Sequence, residues 1–281
     1  MEFLFEPLQY DFFLRGLLAA SLVGATGGLI GVYVVLRGMS YVGHGLSHAA
    51  IGGAIVGFTL NMNFYVGACA MGLAAALIIN KITQNNKIKL DAAIGIVTTA
   101  MFALGVAIVS KLRNFKQNFE AALFGNILGI NDDDLLIIGI VTVVTFITLF
   151  FSYRALLFST FDQEVAHVSG IKTASVQLLF SIILTLAVIA SLNVTGVTMV
   201  AATLIAPAIT ARILTDSFSK MMIYSTLIGT FSGIIGMYLS YIFNVASGTT
   251  IVLFSTLLFG LSLLAKSLQR IIKTTPEKVE S

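Results

Sequence analysis

Charge is what this sequence has least of. Asp, Glu, Lys and Arg make up 10% of its 281 residues, while 57% are hydrophobic. A soluble domain carries about 25% charged residues. So thin a charged surface does not stay in water, and the solvent for most of the chain must be lipid. There is 1 cysteine, Cys69, so no disulfide framework can form within the chain. Cys69 lies in an apolar run and reads as a small membrane-buried residue. No polar loop is long enough to hold a soluble domain, so residues 1–281 read as one transmembrane domain. Runs of alternating polarity, about 10 residues long, are also missing, which excludes a membrane β-barrel. The first residues, MEFLFEPLQYDFF, are acidic and lack the basic segment of a cleaved signal peptide. The first span is expected to insert and stay.

What is present is a series of apolar runs. About 20 apolar residues, rising about 1.5 Å each, cross the hydrocarbon core as a helix. Lipid also forces the backbone to satisfy its own hydrogen bonds. The expected fold is all-α, a polytopic membrane bundle of about 8–9 transmembrane helices. The spans read as 14–36, 44–61, 63–80, 91–110, 135–152, 174–193, 196–213, 221–243 and 249–266. Two interruptions stand out. Residues 111–134 include EAALFGNILGI, too short to span, which reads as either a surface or a re-entrant helix. Residues 154–173 form a polar patch between two spans.

The net charge of +3 is small, and the basic residues sit mostly at span ends. They read as orientation signals, not as a nucleic-acid surface. With the C-terminus in the cytoplasm, the inside holds Arg37, Lys81, Lys87, Lys89, Arg154, Lys172, Arg212, Lys220, Lys266, Arg270, Lys273 and Lys278, which is 12 of 16. Arg15, Lys111, Arg113 and Lys116 fall outside. The excess on one side orients the chain by the positive-inside rule. The acidic triplet Asp132, Asp133 and Asp134 then lies outside, and residues 267–281 form a cytoplasmic tail.

Glycines Gly24, Gly27, Gly28 and Gly31 in the first span, with Gly229, Gly233 and Gly236 in the eighth, predict close helix packing, within one chain or between two copies, or surfaces that glide during transport. The most informative stretch is RGMSYVGHGLSHAAIGG, residues 37–53. His44 and His48 are four apart, so both imidazoles share one helix face, about 6 Å apart along the axis. Neutral imidazole binds Zn, Cu, Fe and Ni, and ionisable groups inside a membrane mark pathways. The blander reading is two histidines hydrogen-bonded to other helices. Position 45 is glycine, so the pair lacks the glutamate of a zinc-protease motif. Pro207, in TLIAPAITA, predicts a helix break or kink near a pathway. Asp91 reads as a first-turn acid at a helix start and Asn193 as an interface residue.

The polar patch FSTFDQEVAHVSGIKT, residues 158–173, reads as a short amphipathic helix. Phe161, Val165 and Val168 lie on one side, Asp162, Gln163 and Glu164 are exposed, and Gly170 ends it. Such an element suits a partner that docks on the membrane face; an ordinary polar loop is the alternative. No nucleotide-binding loop G-x-x-x-x-G-K-[ST] occurs, so any ATP must be bound by another chain.

At these stretches the sequence resembles the permease subunits of bacterial ABC importers for manganese, zinc and iron. The stretches are LRGMSYVGHGLSHAAIGG, DAAIGIVTTAMFALG, LFGNILGI, FSTFDQEVAHVSGI, MVAATLIAPAITA and FNVASGTTIVL, in that order across residues 16–265. The resemblance implies a type II-like permease fold in the bacterial cytoplasmic membrane and a transport subunit rather than an enzyme. It implies a homodimer with two cytoplasmic ATPase subunits and an extracellular metal-binding protein that delivers the ion. It makes residues 159–172 the coupling helix, with Phe161, Asp162, Glu164, Ala166 and Gly170 meeting the ATPase. Where the family usually has G-D-x-x-x-H, this chain has histidine at both positions, His44 and His48. The transported cargo, not a resident cofactor, would be Zn²⁺ or Mn²⁺, or iron. Two imidazoles favour a borderline ion such as Zn²⁺, and a carboxylate suits Mn²⁺ better. Competing readings are a secondary metal transporter or channel, a permease for a larger cargo such as a metal chelate, and an intramembrane metalloenzyme. The first lacks mid-span carboxylate relays, and the last lacks a third ligand and a general base near the histidines.

Overall fold

The computed structural model describes residues 5–84, 88–112, 123–125 and 127–274. Lys87, Arg113, Lys116, Lys278, Asn126 and the start of EAALFGNILGI lie outside the described residues. The helices are α1 (Asp11–Leu36), α2 (Val42–Thr59), α3 (Phe64–Thr83), α4 (Leu90–Leu112), α5 (Asp132–Phe151), α6 (Tyr153–Phe161), α7 (Gln163–Val168), α8 (Thr173–Thr195), α9 (Val200–Leu214), α10 (Phe218–Phe243) and α11 (Ser247–Thr274). No strand occurs among the described residues.

Local sequence explains where these helices start and stop. Asn63 caps α3 by accepting a hydrogen bond from the Tyr65 amide at 2.8 Å. Asn131 and Asp134 form a reciprocal capping box at the start of α5. Asn244 ends α10 in the left-handed conformation. The Lys266 ammonium donates to the Ile213 carbonyl at 3.2 Å, placing a cation at the C-terminal end of α9. Helix α11 continues to Thr274, so the first residues of the expected tail extend the last span. KSLQRIIK contains no helix breaker, which is why it propagates.

Among the described residues, seven helices, α1, α3, α4, α5, α8, α10 and α11, are long and apolar enough to cross a membrane. The other two expected spans are α2 and α9, and each departs for a physical reason. Two histidines and several glycines dilute the apolar character of α2. Helix α9 has 15 residues, about 22 Å at the usual rise, which is shorter than a hydrocarbon core of about 30 Å. Both are packed among neighbours, so neither needs a full lipid-facing surface. Nearly every residue of α2 from Val42 to Ile55 is buried; the half-buried exceptions are His44 and His48.

Helix α1 packs most extensively against α10, and also against α9, α5 and α8. Glycine makes the first contact possible. A Cβ at Gly24 would overlap the carbonyl of Gly229, and one at Gly229 would overlap the carbonyl of Gly24. Ser225 donates to the Gly28 carbonyl across the same seam. This is backbone-to-backbone packing by small residues, inside a single chain. Helix α9 stays continuous across Pro207, with no break. Proline removes one rung of the ladder, and the carbonyl it deprives, that of Thr203, lies against α1 at Gly27.

Two larger buried clusters result. One centres on Tyr33, Leu46, Phe180 and Leu184, and the other on Phe13, Ile127, Ile138 and Met237 near the α5 N-terminus. At that end Gly125 and Gly196, both with positive φ, meet backbone to backbone. Thr198 donates to the Leu123 carbonyl at 2.8 Å. The described part of LFGNILGI therefore packs on the ends of α8, α9 and α11, with Ile127 and Ile130 buried and a 3-10 turn at Ile127–Gly129.

Candidate functional site

The site begins where α1 ends. Gly38 takes φ +66, the Gly38 amide donates to Val35 and the Met39 amide donates back to Val34. That glycine-ended C-cap reverses the chain within a few residues and launches α2 at Val42. The first turns of α2 then present His44 and His48. Their Nε2 atoms are 3.2 Å apart, and the rings meet edge to face with centroids 4.6 Å apart. Phe102 of α4 lies 5.4 Å from His48, and Tyr41 lies 6.4 Å from His44. Ser47, between them, turns inward and donates to the Val197 carbonyl at 3.1 Å. Both histidines are half-buried, with the His48 ring against Phe102 of α4.

This geometry fits two chemistries. With both rings neutral, one nitrogen donates and the other accepts. With both lone pairs directed at one ion at about 2.0–2.1 Å, a 3.2 Å separation subtends an angle of about 100°, near tetrahedral. A longer metal–nitrogen bond closes that angle toward the right angle of octahedral sites. Among the described residues no group of 3 or more His, Cys, Asp or Glu side chains gathers at one place. One subunit thus brings two nitrogen donors together and leaves the remaining coordination positions open.

The polar patch divides differently from the single helix its pattern predicts. Helix α6 ends at Phe161, Asp162 is extended, and α7 runs from Gln163 to Val168. The break comes from Asp162 itself. Its carboxylate accepts from the amides of Glu164 and Val165 at 2.9 and 3.0 Å, capping α7. Gly170, at φ +75, closes the other end with the Ile171 amide donating to Ala166 at 3.0 Å. Ala166 is buried, while Phe161, Val165, Val168 and Glu164 are exposed. Replacing Asp162 by alanine should cost α7 about 1 kcal/mol. Circular dichroism of the patch as a peptide would miss this, because so short a helix does not form alone. The measurement is hydrogen exchange at the Glu164 and Val165 amides of the intact protein, expected to quicken about fivefold.

Two polar arrangements escape the sequence reading. Tyr65 donates to Asp134 at 2.7 Å, and Asn193 donates to Tyr65 at 2.9 Å, tying α3, α5 and α8 together. Asn193 is thus the interface residue its position suggests, whereas Asp134 is part of this network and not a free acid. Asp132 pairs with Arg15 at 2.9 Å. The other arrangement surrounds Arg37 at the opposite end of α1. Asp91 is an exposed first-turn acid of α4, and Cys69 is half-buried with a free thiol.

Residues 9–266 match the ABC 3 transport family. The chain belongs to that family. The manganese transport system membrane protein MntC of Listeria monocytogenes is 38% identical over 264 residues, which is 94% of each chain. The manganese import system permease protein ScaB of Streptococcus gordonii is 36% identical, over 97% of this chain and 98% of that one. Among solved structures, PsaBC from Streptococcus pneumoniae in complex with Fab superposes with a TM-score of 0.86 at 33% identity, covering 98% and 99% of the two chains. This ABC 3 family protein is accordingly a multi-pass permease of the cytoplasmic membrane.

Proposed function

We propose that the chain is the membrane permease subunit of an ATP-driven importer of divalent transition metals, with Mn²⁺ as its cargo. Relatives of 36–38% identity over nearly the whole chain are named for manganese transport, and others of 32–33% for probable iron transport. The observation that carries the transition-metal reading in this chain is the pair of imidazole nitrogens 3.2 Å apart, and the choice of Mn²⁺ over Zn²⁺ rests on the relatives. His44 and His48 hold the ion in transit. A second permease copy would bring further donors and close a path between the two subunits. Two cytoplasmic ATPase subunits dock at the exposed apolar residues of α7. An extracellular binding protein delivers the ion at the α5 N-terminal end. An incomplete donor set is an advantage in a transporter, because a closed tetrahedral site would trap the ion.

The reading predicts a pH dependence with a definite sign. An imidazole binds metal only when neutral, so protons compete with the ion. Uptake should therefore fall as the pH is lowered from neutral into the acid range. The test is initial Mn²⁺ uptake by the complex reconstituted with its ATPase and binding protein, with ATP hydrolysis followed in parallel. A flat uptake profile over that range, with hydrolysis also flat, would remove the histidine pair from the path.

A further inference from the structure

We infer that Arg37 is a positioning residue that passes movement of the α6–α7 segment to the helix bearing the histidine pair. The inference rests on the reading that α7 meets the ATPase and that α2 lines the ion path.

Arg37 follows the last residue of α1, and its guanidinium is half-buried. It makes three directed hydrogen bonds. Nε donates to Thr160 at 2.9 Å, Nη2 to Ser159 at 2.9 Å and Nη1 to Gln177 at 2.8 Å. The guanidinium plane also sits 4.4 Å from the centre of the Phe180 ring. Ser159 and Thr160 belong to the last turn of α6, just before the Asp162 cap of α7. Gln177 and Phe180 belong to α8. One side chain therefore joins the end of α1 to the root of α7 and the start of α8.

No carboxylate takes part. Among the described residues the ion pair is Arg15–Asp132, at the other end of α1. Burial pushes the Arg37 guanidinium down to about 10, so it remains charged at neutral pH. Its partners are all neutral oxygens, so the grip depends on the direction of the planar fork, which lysine does not reproduce. Aromatic rings stiffen the same junction. Tyr33 stands 5.5 Å from Phe218, and Phe218 stands 5.9 Å from Phe161.

The other side of the link is short. Arg37 is followed by the Gly38 turn, and α2 starts at Val42, so His44 lies 7 residues further on. A shift of α6 that draws Arg37 with it must also shift the first turn of α2. There is room for that shift, because an open cleft of about 400 Å³ flanks Arg37, between Asn80, Thr83 and Gln84 on one side and Thr160 and Gln177 on the other. Coupling between sites runs through such contiguous hydrogen bonds and packed side chains.

The test uses the reconstituted complex with its ATPase and binding protein, and reads metal taken up per ATP hydrolysed. Arg37→Gln should lower that ratio about tenfold, with complex yield and ATP hydrolysis within about twofold of wild type. Arg37→Lys should also lower it. Ser159→Ala with Thr160→Ala removes the acceptors on α6 and should lower the ratio in the same way. Adding Arg37→Gln to that pair should then change little, because the two act through one link. A merely structural arginine would lower yield, uptake and hydrolysis together. That outcome, or an unchanged ratio in Arg37→Gln, overturns the inference. Wild type separates this from the parent reading. If wild type itself shows no ATP-dependent uptake, the importer reading falls and the inference with it. If wild type transports and Arg37→Gln transports equally well per ATP, the inference alone falls.

Discussion

Replacing His48 by alanine should reduce ATP-driven metal uptake by at least about 100-fold, more than the about 10–100-fold typical of losing an outer-shell partner of a metal site. The change removes one of two nitrogens that stand 3.2 Å apart, so His44 is left as a lone, weak donor. His48 is half-buried and belongs to none of the fully buried clusters, so its removal empties no core position of the bundle. Assembly with the ATPase should therefore persist, and the complex should elute at its usual position in size exclusion. ATP hydrolysis and complex yield are measured beside uptake. Wild-type uptake of metal in a well-assembled His48→Ala complex would mean that the ion travels elsewhere.

Gly24→Val should have the largest effect on the fold. Its side chain would meet the Gly229 backbone, where there is no space for even one carbon. Flexible side chains can yield to such an intrusion, but a helix backbone yields only if α1 and α10 separate along their whole seam. Overpacking ordinarily costs about 1–3 kcal/mol, and this backbone clash belongs at or above the top of that range. The purified protein should lose about 5–10 °C in Tm, or fail to accumulate at all. Gly95→Val is the control. A Cβ at Gly95 meets nothing within 4 Å, so that variant should melt like wild type. Equal Tm for both variants would contradict the packing described for α1 and α10.

The extent to which sequence foretells this structure differs from residue to residue. Long apolar spans are legible because lipid imposes length and hydropathy on them directly. Helix α2 is legible for another reason: the four-residue spacing of His44 and His48 and the small residues around them mark a helix even where hydropathy is diluted. The break at Asp162 is harder to see. A capping aspartate inside a polar patch looks like any other exposed acid until its contacts with the Glu164 and Val165 amides are known. Pro207 lies inside α9, which continues through it with α1 packed alongside. Arg37 is the largest omission. A basic residue just after a span reads as an orientation charge, and its partners lie 122 to 140 residues away in sequence. The same is true of Asp134, whose bond to Tyr65 spans 69 residues. Pairings at that range leave no local pattern.

The most direct test of the whole account is metal accumulation in vesicles. The permease is reconstituted with its ATPase and binding protein, and Mn²⁺ and Zn²⁺ uptake are measured with and without ATP. The account predicts Mn²⁺ accumulation that requires ATP and both partner proteins. Equal accumulation without ATP, driven by an ion gradient alone, or no accumulation of either metal with every component present, would contradict it.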